Sequence, residues 1–110
     1  MKKPFFAAVV GVVGLAGPVH AEPTVNDILK DPRSGFARLY IDGLGSGLSW
    51  ANVAAKMKGK PVYCPPGKVA ITADQYIDIL RRYIADHPHM TNDFVGGPML
   101  FALEDAFPCP

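Results

Sequence analysis

The chain has 110 residues, a formal net charge of +1, 49% hydrophobic residues and 19% charged ones. This length holds one domain and excludes a two-domain enzyme, and the apolar fraction excludes wholesale disorder. A near-neutral balance supplies no basic stripe for nucleic acid, so no nucleic-acid partner is expected.

Lys2 and Lys3 precede an uncharged, mainly apolar run from Phe5 to Gly17, which Pro18 ends and Val19-His20-Ala21 follows. That layout predicts a secretory signal peptide over residues 1–21, cleaved after Ala21. The run has 13 residues, short of the roughly 20 that span a bilayer, and no other segment is long and apolar enough. No cysteine follows it closely, so a lipoprotein anchor is not expected. The remaining domain, residues 22–110, has nine basic and ten acidic groups and no expected membrane attachment.

Thr24 caps a first predicted helix, Val25 to Lys30, with Asn26 and Asp27 in its first turn and Asp31-Pro32 after it. Ser34 offers a second start. Phe36, Leu39, Tyr40, Leu44, Leu48 and Ala51 then recur at spacings of three and four, a helical stripe within Phe36 to Met57. Gly43, Gly45 and Gly47 each cost such a helix about 1 kcal/mol relative to Ala. Either small residues there admit a second backbone, or the helix breaks near Gly45 and resumes near Ser49. Gly59-Lys60-Pro61 and Cys64-Pro65-Pro66-Gly67 read as a helix-free connection.

Thr72 with Gln75 forms a capping-box pattern. The helix behind it presents Tyr76, Ile77, Leu80, Tyr83 and Ile84 on one face, and Asp78, Arg81, Arg82 and Asp86 on the other. Asp78 and Arg82 stand four apart, a favourable pairing distance, and His87-Pro88 ends the helix. Pro98 sits early in a last helix carrying Leu100, Leu103, Ala106 and Phe107 on one side, with Glu104 and Asp105 facing solvent and Pro108 as the stop. No strand pattern or repeat interrupts this, so the fold class is all-α: a small compact bundle of about four helices.

Two cysteines, Cys64 and Cys109, lie in the exported part, each beside proline. In an oxidising compartment they read most simply as one disulfide, whose loop of 45 residues stabilises by roughly 4 kcal/mol. A catalytic thiol with a histidine base would need one of them free. No other chemistry assembles. Gly43-Leu44-Gly45-Ser46-Gly47 lacks the spacing and the Lys-Ser/Thr pair of a phosphate loop, and it follows helical sequence. His87 and His89 have no third and fourth ligand at metal-site spacing and read as solvent-facing helix-end residues. Adjacent Glu104 and Asp105 point about 100° apart on a helix and cannot face each other as acid and base. Ser34, Ser46 and Ser49 lack a nucleophile elbow. No catalytic residue, metal or cofactor is therefore expected. Tyr40, Tyr63, Tyr76 and Tyr83 read mainly as core, and Trp50, between polar Ser49 and Asn52, reads as the aromatic best suited to an interface.

Tyr40-Ile41-Asp42-Gly43, Tyr63-Cys64-Pro65-Pro66, Thr72-Ala73-Asp74-Gln75, Tyr83-Ile84-Ala85-Asp86-His87-Pro88 and the run from Ala102 to Phe107-Pro108-Cys109 together resemble the Rap/Tai immunity protein family. The likeness covers the chain from about Phe36 to Cys109. It implies an exported, all-helical, disulfide-bonded protein, often a homodimer, in the Gram-negative periplasm. It further implies a partner, a peptidoglycan-cleaving amidase effector of type VI secretion, blocked by occlusion of its active site. Gly96-Gly97-Pro98 departs from the family's continuous last helix and predicts a late start for that helix here. No effector-gripping residue carries over by motif. Loop-like, polar and uncommitted to the core, Lys56, Lys58 and Lys60 and the turn with His87, His89 and Asn92 are the expected partner-binding residues. Two alternatives from other classes are a periplasmic acid-stress chaperone-like helical protein with no toxin partner, and an enzyme or metal carrier using Cys64 or the histidines.

Overall fold

The computed structural model describes residues 22–67 and 70–110; the signal-peptide expectation for residues 1–21 lies outside the described residues. Four α-helices make the fold: α1 (Val25–Leu29), α2 (Gly35–Met57), α3 (Ala73–Asp86) and α4 (Gly96–Ala106), with a 3₁₀ turn, Pro88–Met90, between the last two. Among the described residues there is no strand, only an isolated bridge between Thr24 and Phe94. The all-α expectation holds.

Each start is written in the local sequence. The Thr24 hydroxyl accepts from the Asp27 amide while the Asp27 carboxylate accepts from the Thr24 amide. Thr72 and Gln75 close the same reciprocal box at the head of α3, and Ser34 caps α2 by accepting from the Ala37 amide. These contacts satisfy amides that a helix N-terminus otherwise leaves without partners. The start of α4 has no capping side chain of its own: Val95 precedes it in helical conformation. Its Gly96 amide donates instead to the carboxylate of Glu22, 74 residues away in sequence. Backbone bonds complete that clamp, from Val95 N–H to Pro23 O, Val25 N–H to Asp93 O and Asn26 N–H to Thr91 O, all 2.9 Å. The first described residues are thereby tied to the 91–96 segment.

α3 is the hub. It packs against both α4 and α2, and its Tyr76, Ile77, Ile79, Leu80 and Ile84 are buried together with Met99, Ala102 and Leu103 of α4. Val25 and Ile28 of α1, and Ala37 and Ile41 of α2, close the other side. The α3 reading is borne out in its extent and most of its face, but Ile79 is buried where the reading had Tyr83, which is half-buried. The close ion pair joins Asp78 to Arg81, three residues on, at 2.6 Å, instead of to Arg82. The stripe read on α4 is rotated. Pro98, Met99, Ala102 and Leu103 are buried, while Ala106 is exposed and Leu100 and Phe107 are half-buried.

α2 runs unbroken for 23 residues, which decides between the two sequence alternatives for its glycines. Gly45 faces the core, and its carbonyl accepts a 3.3 Å hydrogen bond from the Tyr76 hydroxyl. A Cβ there would meet three ring atoms of Tyr76, the farthest 2.7 Å away. Gly45 is thus the small residue that admits α3. The stripe read on this helix needs correction. Ala37, Ile41 and Gly45 are buried, Tyr40, Leu44 and Leu48 are half-buried, and Phe36, Leu39 and Ala51 face solvent.

The Cys64–Cys109 disulfide is formed, with a Cα–Cα distance of 5.0 Å. The Cys64 amide donates to Phe107 O at 2.8 Å, so the connection after α2 lies against the end of α4.

Candidate functional site

The far end of α2 leaves the bundle. Beyond Leu48 only Asn52 and Ala55 are even half-buried, and Trp50, Val53, Lys56, Met57, Lys58 and Lys60 are exposed. The helix ends in a Schellman arrangement: Gly59 N–H donates to Lys56 O and Lys60 N–H to Ala55 O, both at 3.1 Å. Gly59 has φ 142°, a backbone region that side chains other than glycine's rarely adopt. The returning chain is then fastened to the helix by one side chain. Asn52 accepts from Val62 N–H at 2.7 Å and Tyr63 N–H at 3.1 Å, and donates to Tyr63 O at 2.8 Å. An amide with both oxygen and nitrogen engaged mimics a strand partner and fixes the register of the return.

This builds a defined knob with three ammonium groups, Lys56, Lys58 and Lys60, around apolar Met57, Val53 and Val62. Lys56 belongs to the last turn of α2, although the sequence reading grouped it with Lys58 and Lys60 as loop-like. The knob rests on Tyr63, which is buried beside Tyr76. Burial pushes the Tyr63 hydroxyl up to about 12, with the neighbouring Tyr76 adding to the rise. The Tyr76 hydroxyl is also raised, by burial first and then by Asp42. Both phenols therefore stay neutral in any physiological compartment.

The second expected segment is held at α1. Asn26 N–H donates to Thr91 O, and the Thr91 hydroxyl donates to Pro88 O at 2.7 Å. His89 and Asn92 are exposed there. His87 departs from the solvent-facing expectation: it is half-buried, its ring stacks on Tyr83 at 4.0 Å, and its Nδ1 lies 2.9 Å from Tyr83 O. That ring is committed to closing α3. Among the described residues, no hydrogen bond or ion pair joins this turn to the knob.

A groove of about 540 Å³ opens between α3, the end of α4 and the disulfide connection. Pro65, Ile71, Ile79 and Phe107 form its apolar lining, with Asp78, Arg82 and Asp105 contributing charge. Nothing in the sequence marked it, because its walls come from three separate segments. Among the described residues no group of three or more His, Cys, Asp or Glu side chains is placed to hold a metal ion.

The sequence matches the profile of the Rap1a immunity proteins over residues 22–109. The chain belongs to the Rap1a immunity protein family. No curated protein and no solved structure matches it. Membership bears out the resemblance drawn from the sequence and covers every helix described above. An immunity protein works by binding a secreted effector, a task for exposed surface. In this Rap1a-family chain the exposed surface richest in anchoring side chains is the free half of α2. Sequence reasoning found its lysines and Trp50, but placed Phe36 and Leu39 on the core stripe and did not single out Met57. The signal for the helix's true orientation was Gly45 in line with Ala37 and Ile41, the small residues on which α3 closes.

Proposed function

We propose that this protein is a periplasmic immunity protein that binds a peptidoglycan amidase effector of type VI secretion and inhibits it by occluding its active site, acting as a homodimer. Family membership over residues 22–109 carries the reading, and the shape of the knob at the end of α2 supports it. Occlusion requires a protrusion that keeps its shape when it leaves solvent. The Asn52 clamp and the Gly59 cap supply that rigidity, so little conformational entropy is lost on insertion. Met57 and the stems of Lys56, Lys58 and Lys60 contribute apolar contact, and the three ammonium groups set electrostatic complementarity and association rate. His89 and Asn92 form a second, smaller contact from the turn at α1, and His87 supports them from beneath through its stack on Tyr83.

The test is a titration. The oxidised, secreted protein is added to the producing strain's own amidase effector while peptidoglycan hydrolysis is followed. Hydrolysis should cease at one immunity chain per effector chain, and Met57→Asp combined with Lys58→Glu should raise the concentration needed at least tenfold. Undiminished hydrolysis at excess immunity protein defeats the reading.

A further inference from the structure

The groove between α3, the end of α4 and the disulfide connection lies apart from the surfaces given to an effector: Lys56, Met57, Lys58, His89 and Asn92 do not line it. At about 540 Å³ it falls within the ~300–1,000 Å³ of sites that hold small molecules. Buried Ile79 is its floor, and half-buried Pro65, Ile71 and Phe107 make its walls. The Cys64–Cys109 bond holds two of its three segments together.

Two opposite charges stand over this apolar lining without meeting. Arg82 of α3 and Asp105 of α4 both line the groove, and among the described residues neither takes part in an ion pair. The third charged group, Asp78, is already neutralised by Arg81 at 2.6 Å. Gln75 shares the groove face of α3 with Asp78, Ile79 and Arg82, and its side-chain oxygen accepts from Thr72 N–H. That leaves its NH₂ group as a donor. Gln75 and Arg82 stand ~10 Å apart along the helix. Pro65 and Pro66 line the opposite wall and have no N–H to compete for a ligand's acceptors.

We infer that the groove binds a short apolar peptide with both ends free. Its carboxylate meets Arg82, whose planar guanidinium fits a carboxylate with two parallel hydrogen bonds. Its terminal ammonium meets Asp105, a middle carbonyl accepts from Gln75, and its aliphatic side chains lie against Ile71 and Ile79. About three extended residues cover ~10 Å, the length over which α3 lays out its polar groups. Charge complementarity selects this occupant. An internal protein segment brings neither terminal charge and a protein tail brings one, whereas the groove holds one unpaired group of each sign.

NMR of the oxidised protein, following methyl and arginine side-chain signals, tests this with the tripeptide leucyl-alanyl-leucine. Titration should move the Ile71 and Ile79 methyl signals and the Arg82 Nε–H signal to saturation at millimolar concentration. The N-acetylated tripeptide lacks the amine and the C-amidated one lacks the carboxylate. Each should bind about tenfold more weakly, the weight of one hydrogen-bonded contact to a charged group. Arg82→Gln should weaken the free tripeptide by the same factor and leave the amidated form unaffected. Asp105→Asn should likewise weaken the free form and leave the acetylated form unaffected. Both side chains are exposed, so circular dichroism should not change in either variant. No shift at the solubility limit of the peptide overturns the site. An acetylated form that binds as tightly as the free one gives the groove to a protein's C-terminal tail, and an equally tight amidated form gives it to an N-terminal tail. Either result overturns the free-peptide assignment. Equal loss of the free and amidated forms in Arg82→Gln overturns the contact between Arg82 and the carboxylate.

Discussion

Three glycines spaced two apart on one helix have two different roles, and substitution separates them. At Gly45 a methyl group would enter the Tyr76 ring and displace the hydroxyl that donates to the Gly45 carbonyl. Overpacking of that kind costs ~1–3 kcal/mol. At Gly43 and Gly47 the space is open, and alanine gains up to ~1 kcal/mol each from helix propensity. Thermal unfolding followed by circular dichroism, at concentrations low enough to keep the chain monomeric, should therefore fall for Gly45→Ala and rise for Gly47→Ala. Equal changes of either sign would mean that Tyr76 does not hold the α2–α3 crossing. Intrinsic propensity assigns one cost to all three glycines, which is why the sequence left a break at Gly45 open: the compensating ring lies 31 residues further along.

Among the helices, α3 was legible in almost every detail because its information is local. Its capping box, its five-residue apolar face and its His87-Pro88 stop all lie within seventeen residues; the Asp78 partner shifted from Arg82 to Arg81, and Ile79 is buried in place of the half-buried Tyr83. α2 was legible in extent but not in rotation. It is apolar on two sides, so hydrophobic spacing could not say which side meets the bundle, and Leu39 was assigned inward. Its C-terminal stop depends on Gly59, whose φ of 142° lets the Schellman bonds form and turns the chain back toward Asn52. Gly59→Ala should cost ~1–2 kcal/mol from backbone strain, seen as a melting point lower by about 4–15 °C in a chain of this size. The loss should be largest in hydrogen-exchange protection of the Val62 and Tyr63 amides that Asn52 accepts from. Protection unchanged there would mean that the knob closes without its cap.

For the molecule as a whole, the all-α class and the disulfide could be read directly, because each needs only composition, periodicity and the fact that two cysteines have one possible pairing. The candidate site was legible only in part: its lysines lie in consecutive sequence, but the rigidity that makes them a knob comes from Asn52 reaching across ten and eleven residues. The same long-range dependence governs stability. Tyr63, Cys64 and the 60–67 connection have no helix of their own and are held by the Asn52 clamp on one side, and by Phe107 O and the disulfide on the other. Closing a loop of 45 residues contributes ~4 kcal/mol by restricting the unfolded chain, a large fraction of the 5–15 kcal/mol typical of a domain. Reduction, or a Cys64→Ser/Cys109→Ser double variant, should therefore lower the melting point by ~15–30 °C. The α3–α4 pairing should survive near room temperature, because its buried contacts do not pass through the bond. Effector inhibition should weaken under reduction before helical content falls, since the connection that carries the return from the knob is released first. If inhibition and ellipticity instead fall together along a reductant titration, the knob and the bundle are a single cooperative unit and the disulfide acts on the whole fold.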